Sequence, residues 1–166
     1  MKIYLIRHSN AVDPGTPGYE DDSLRPLTEK GRDKMKDIAS ALKELDVKPD
    51  LIVSSPYVRA QQTAEILAKV LQYKRELTFS DALVPMGNAD NIIGEINEKY
   101  SVDELVLVGH EPCFSTLISM LTAGNPDLNI NIKNGGVCCL SSDDLHTERK
   151  AVLEWLLTPK ILTELA

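Results

Sequence analysis

Cysteine is scarce in this chain. Three among 166 residues, Cys113, Cys138 and Cys139, are too few and too unevenly placed for a disulfide framework. A reduced, cytoplasmic setting is therefore expected. Long apolar runs are also missing. Ile3 to Ile6 is cut short by Arg7 and His8, and nothing approaches the ~20 apolar residues of a membrane span. Positive charge is in deficit: 18 Lys and Arg face 25 Asp and Glu, leaving −7. Such a chain repels nucleic-acid backbones and anionic membranes, so neither is an expected partner.

What is present suits one folded unit. A composition 43% hydrophobic and 26% charged is ordinary for a globular protein. A length close to ~150 residues predicts a single domain spanning 1–166. The oligomeric state is not legible, and a monomer is the simpler expectation.

Strand and helix signals alternate along the chain. Lys2–Ile6, Leu51–Val53, Leu77–Phe79, Leu105–Val108, Gly136–Leu140 and Ala151–Leu157 read as strands, with a polar turn at Ser141–Asp144 between the last two. Thr28 is placed to cap a helix carrying Met35, Ile38, Ala39, Leu42 and Leu45 on one face. Ser55-Pro56 reads as the start of a second helix. Asn91–Glu98 is expected to be a third, and Phe114, Leu117, Ile118 and Leu121 a fourth, stopped by Gly124-Asn125-Pro126. Asp13–Asp22 and residues 80–90 read as loops. This order predicts an α/β fold, a three-layer αβα sandwich around a largely parallel sheet.

Parallel sheets gather function at the carboxyl ends of their strands. Three such ends carry chemistry of one kind. The first ends in Arg7-His8, the second leads into Ser55-Pro56 with Arg59 one turn later, and the third ends in Gly109-His110. Two arginines and two histidines converging there would bind an anion, most naturally phosphate, because the guanidinium fork matches phosphate oxygens. In this reading neutral His8 attacks phosphorus. Arg7, Arg59 and a protonated His110 hold the equatorial oxygens as charge develops.

Other phosphate chemistries lack their residues. There is no Gly-x-x-x-x-Gly-Lys-Ser/Thr loop, no Cys followed six places later by Arg, and no Asp-x-Asp pair. Neither His-Glu-x-x-His nor Cys-x-x-Cys occurs, so no metal and no cofactor is expected.

Leu5-Ile6-Arg7-His8, the run from Ser54 to Ala64 and Val108-Gly109-His110-Glu111-Pro112 together resemble the signature blocks of the histidine phosphatase superfamily, which includes the cofactor-dependent phosphoglycerate mutases. The run from Arg25 to Gly31 and the short length resemble its SixA-type phosphohistidine phosphatases. The resemblance implies a phosphoglycerate mutase-like fold. It implies that His8 becomes phosphorylated, that Arg7 and Arg59 clamp phosphate, and that His110 is the second pocket histidine. Arg25 matches a basic residue of the entrance block, with a surface ion pair to Asp21 or Asp22 as the other reading.

Two positions depart from the pattern. Ser9 stands where the family has glycine, and either adds a hydroxyl to the phosphate site or tolerates the turn. No acid stands at the matching place in residues 83–90 to protonate a leaving oxygen; Asp81 and Asp90 are only near in sequence. Glu111 is a possible proton donor, or a helix cap. Departing neutral imidazole needs little acid assistance, because its conjugate acid has a pKa near ~6.5. The gap therefore favours hydrolysis of a phosphohistidine on a protein such as a phosphotransfer domain. The alternatives are a small phosphate ester, as in a phosphomonoesterase or mutase, and a non-catalytic phosphate-binding module.

The remaining features read as structural. Cys113 is expected to be a buried thiol, Cys138 and Cys139 to face opposite sides of a strand, and His146 to be a solvated turn residue. The acidic run Glu20-Asp21-Asp22 reads as a solvated loop. Lys133–Gly136 reads as a turn, with a pocket-lining role open.

Overall fold

The apolar runs that read as buried strands do lie between two layers of helices. In this computed structural model, which describes residues 1–143 and 151–166, the strands are β1 (Lys2–Arg7), β2 (Leu51–Ser54), β3 (Thr78–Phe79), β4 (Glu104–Gly109), β5 (Val137–Ser141) and β6 (Val152–Leu157). The helices are α1 (Glu29–Glu44), α2 (Val58–Val70), α3 (Ala89–Lys99), α4 (Cys113–Ala123) and α5 (Pro159–Leu165). Short 3₁₀ turns occur at Asp22–Leu24 and Asp81–Leu83. His146 and the end of the turn expected at Ser141–Asp144 lie outside the described residues.

All six strands join one sheet in the order β3-β2-β4-β1-β5-β6. β3, β2, β4 and β1 run parallel, while β5 is antiparallel to β1 and β6 to β5. The sheet is thus parallel where the candidate residues lie and antiparallel at one edge. Side chains alternate faces along a strand. Ile3 and Leu5 pack with α3 and α4 (Ile92, Ile96, Phe114, Leu117), whereas Tyr4 and Ile6 pack with α1, α2 and α5 (Met35, Ile38, Ala64, Leu67, Leu162). Burial on both faces explains why these strands are continuous apolar runs. The three-layer αβα sandwich follows. Among the described residues no helix is long and apolar enough to cross a membrane.

The Thr28 cap forms as expected, its hydroxyl oxygen accepting from the Gly31 N–H at 3.0 Å. α2 starts later than Ser55-Pro56 predicts. Tyr57 is its N-cap residue, and Ser55 Oγ instead accepts from the Tyr57 N–H at 3.3 Å, making a bend that precedes the helix. α5 was not expected from periodicity, although Thr158 followed by Pro159 is a start signal. Its anchor is Leu162, fully buried against the α1–α2 layer.

Candidate active site

The carboxyl ends of β1, β2 and β4 meet in a cavity of about 390 Å³. Arg7, His8, Arg59 and His110 all line it, with Arg25, Asp13, Asp22, Glu111, Pro85 and Asn134. β1 is held at its end by a neighbouring turn. The Gly135 N–H donates to both the Arg7 and His8 carbonyls, at 3.1 and 3.2 Å, and Arg7 Nη1 donates to the Ile132 carbonyl at 2.6 Å. Gly135 has φ +84°, and a Cβ there would meet Ile38 Cδ1 at 2.7 Å. Only glycine fits that turn without strain. The Lys133–Gly136 segment therefore supports the arginine–histidine pair from behind.

His8 is buried and held in one tautomer. Its Nδ1 lies 2.7 Å from the Ser9 carbonyl, an acceptor, so Nδ1 carries the proton. The Nε2 lone pair is then exposed to the cavity chemistry, and Arg59 Nε–H donates to it at 3.3 Å. Arg59, in the first turn of α2, is 3% exposed. Its two Nη atoms donate to the backbone carbonyl of Asp22 at 2.7 Å and to the Asp22 carboxylate at 2.9 Å. The His8 and His110 ring centroids are 4.9 Å apart. His110 Nε2 lies 2.9 Å from Ser55 Oγ, and the Tyr57 ring meets the His110 ring edge-on at 5.2 Å.

Among the described residues, the buried side-chain polar atoms without a partner are Arg7 Nε, His110 Nδ1 and Glu111 Oε1. All three residues line this one cavity. Buried polar atoms are nearly always satisfied, so such a concentration marks a place built for a polar ligand.

Both histidines are neutral near pH 7. Burial, with the Arg59, Arg7 and Arg25 guanidiniums adding to it, pushes His8 down to about 3 against the bond to Ser9. Burial, then His8 and the same arginines, pushes His110 down to about 2. The protonated His110 expected from sequence is corrected accordingly: a buried ring beside three guanidiniums does not keep a proton. A folded-state pKa below the unfolded one means that the unfolded chain binds more protons between about pH 3 and 6.5. This contribution to stability is complete above about 6.5 and is lost as the pH falls toward 3. Ring ¹⁵N shifts of His8 and His110 at pH 5 should be those of neutral imidazole, with the proton of His8 on Nδ1. The denaturation midpoint should fall between pH 6.5 and 4. Titration of either ring with a midpoint near 6.5 would contradict this picture.

Other expected residues are placed differently. The Ser9 hydroxyl donates to the Gly31 carbonyl at 2.8 Å, and its N–H donates to Thr63 Oγ1 at 3.2 Å. Serine fits because its φ is not positive. The expected contact of Ser9 with phosphate is thus corrected: its hydroxyl ties the β1 end to α1. Arg25 forms the ion pair given as its other reading, with Asp22 at 2.7 Å, and it also lines the cavity. Asp22, half exposed as a solvated loop residue would be, also uses its carboxylate to bridge Arg25 and Arg59. Burial raises its pKa, but hydrogen bonds and charge from both arginines outweigh that and leave it lowered. Glu111 Oε2 accepts from Ser115 Oγ at 2.6 Å and from the Ser115 N–H at 3.4 Å in the first turn of α4, while Oε1 remains unpartnered.

Asp22 and Ser55 were the residues that local sequence reasoning undervalued. Asp81 and Asp90 line a different cavity, beside α3. Cys113, Cys138 and Cys139 are buried, and burial first of all raises them to about 11, 12 and 11. They are thiols at neutral pH. Among the described residues no group of three or more His, Cys, Asp or Glu is arranged to hold a metal ion.

With that geometry in view, comparisons with known proteins agree on its setting. The family model described as the histidine phosphatase superfamily (branch 1) matches residues 3–90. An uncharacterised protein of Picosynechococcus sp. strain PCC 7002 is 32% identical over 167 residues, covering 95% of this chain and 99% of that protein. Phosphohistidine phosphatase SixA of Escherichia coli K12 is 26% identical over 126 residues, covering 75% of this chain and 76% of SixA. A solved structure of the protein histidine phosphatase SixA complexed with tungstate superposes with a TM-score of 0.84 at 23% identity, covering 98% of this chain and 99% of that one. That last likeness concerns the fold.

Proposed function

The chain belongs to the histidine phosphatase superfamily and is a hydrolytic phosphatase, and we propose that it removes phosphate from a phosphohistidine carried on another protein, through a phospho-His8 intermediate. The observation that carries this reading is the neutral His8 ring, its Nε2 lone pair directed by the Nδ1 bond to Ser9 and set beside Arg59 in the cavity that Arg7 also lines.

The first step forms a bond from His8 Nε2 to phosphorus and breaks the substrate P–N bond. The electron pair of that bond returns to the leaving ring. If the distal nitrogen of the substrate ring carries a proton, the ring departs as neutral imidazole. Transfer from one imidazole to another is nearly balanced chemically, so no strong general acid is required. This fits a site in which Asp81 and Asp90 line another cavity. In the second step water attacks phosphorus, the His8–P bond breaks, and His8 recovers its lone pair. The water proton passes to Glu111 Oε1 or to the departing phosphate. Arg7, Arg59 and the neutral His110 supply donors to the equatorial oxygens as the loose transition state spreads its charge. The similarity to a named phosphohistidine phosphatase supports the same substrate class, with a phosphotransfer-type protein as the partner.

The test sets a histidine phosphotransfer domain, phosphorylated with phosphoramidate, beside 3-phosphoglycerate and glucose 6-phosphate. The phosphoprotein should have a kcat/KM at least tenfold above either ester. Rapid ester turnover with none on the phosphoprotein would reject the reading.

A further inference from the structure

The charges lining the cavity balance before any substrate enters. Three guanidiniums, Arg7, Arg25 and Arg59, face three carboxylates, Asp13, Asp22 and Glu111. Asp22 is matched to Arg25 and Arg59 by direct ion pairs. Glu111 supports the positive charge of Arg7. Asp13 differs from both: like Asp22 it is exposed, but its carboxylate has no partner among the described residues. Its backbone is nonetheless fixed on both sides. The Asp13 carbonyl accepts from Thr16 Oγ1 at 2.7 Å. The neighbouring Val12 carbonyl accepts from Arg25 at 2.5 Å, and the Val12 N–H donates to the Pro26 carbonyl at 2.9 Å. The carboxylate is therefore presented at the solvent end of the wall by a braced loop.

A phosphoryl dianion entering this balanced wall makes the filled cavity net negative. Asp13, Pro14 and Asp22 are the exposed residues of the lining, so they stand where a group attached to that phosphoryl would meet solvent, and of the two carboxylates there Asp13 is the one without an ion pair. We propose that Asp13 is a specificity-determining residue that selects the leaving group by charge, favouring one that carries a cation or an N–H and disfavouring one that carries a carboxylate. This rests on the phosphatase reading and deepens it. A protonated phosphohistidine ring meets the preference, since its distal N–H is a donor that a carboxylate accepts. A phosphoglycerate-type substrate fails it, because its second anion faces the Asp13 carboxylate, and like charges at close range repel.

The experiment uses phosphate esters, so its outcome is separate from whether phosphohistidine is the substrate. kcat/KM is measured for phosphoethanolamine, 3-phosphoglycerate and p-nitrophenyl phosphate with the wild type, Asp13→Asn and Asp13→Lys. Where turnover of the first two is slow, their inhibition constants against p-nitrophenyl phosphate serve instead. The wild type should prefer the cationic ester over the anionic one at least tenfold. Asp13→Asn should lower that ratio about threefold and Asp13→Lys about tenfold or more, mostly through KM. p-Nitrophenyl phosphate reads the effect on the phosphoryl group alone, so its change is divided out of the ratio, and circular dichroism with an unchanged thermal midpoint reports that the variants are folded. A ratio unmoved in Asp13→Lys would overturn the proposal. A ratio that moves while no phosphohistidine protein is hydrolysed would uphold it and sink the substrate assignment alone.

Discussion

Replacing His8 with alanine should lower kcat/KM roughly 10⁴-fold or more and abolish the phosphoenzyme. The reason is that among the described residues no second nucleophile stands ready. His110 is 1% exposed, its Nε2 is engaged with Ser55, and its ring is packed edge-on against Tyr57. The cysteines are buried thiols raised well above neutrality. The measurement is an alkaline detergent quench with a ³²P-labelled substrate: the wild type should yield an acid-labile, alkali-stable adduct, and the variant none. The loss should not come from unfolding. His8→Ala removes two hydrogen bonds, one to the Ser9 carbonyl and one from Arg59 Nε, each worth about 1 kcal/mol. Activity within tenfold of wild type would end the phospho-His8 mechanism.

How much of this was legible beforehand depends on the range of the interaction involved. Leu51–Val53 and Leu105–Val108 were readable as strands because burial on two faces leaves no polar alternation. Thr28 was readable because a cap acts over three residues. Arg7, His8, Arg59 and His110 could be nominated because each lies at a strand's carboxyl end or in the helix turn that follows, where a parallel sheet gathers its loops. Asp22 was not readable in this way. Locally it belongs to an acidic run between prolines and glycines. Only the fold carries it to Arg59, 37 positions away. The Ser9 hydroxyl depends similarly on Gly31, 22 positions on. The charge state of His110 was misjudged for a related reason. A lone histidine near neutral pH is free to protonate, but burial beside three guanidiniums withdraws that freedom. The antiparallel β5–β6 edge was hidden because apolar pattern reports burial, not strand direction.

The second large effect is expected at Arg59. Arg59→Ala should lower kcat/KM about 10²- to 10³-fold, the range typical for removing one transition-state donor group. Arg59→Lys should recover little of it. The guanidinium uses its plane in three directions at once: Nε toward His8, Nη1 to the Asp22 carbonyl and Nη2 to the Asp22 carboxylate. An ammonium is a single point charge and cannot make that fork. The ion pair also implies an exchange. A phosphoryl group bound at Arg59 competes with the Asp22 carboxylate, which is half exposed and also tied to Arg25. Asp22→Asn should therefore bind inorganic phosphate more tightly than the wild type, by about threefold, while Arg59→Ala binds it at least tenfold more weakly. In the double variant the gain from Asp22→Asn should largely vanish, since its target is gone. Competition assays with phosphate against p-nitrophenyl phosphate read all three values. Full additivity of the two changes would show that Asp22 and phosphate do not share Arg59, and Arg59→Ala with wild-type phosphate affinity would remove this residue from the phosphate clamp.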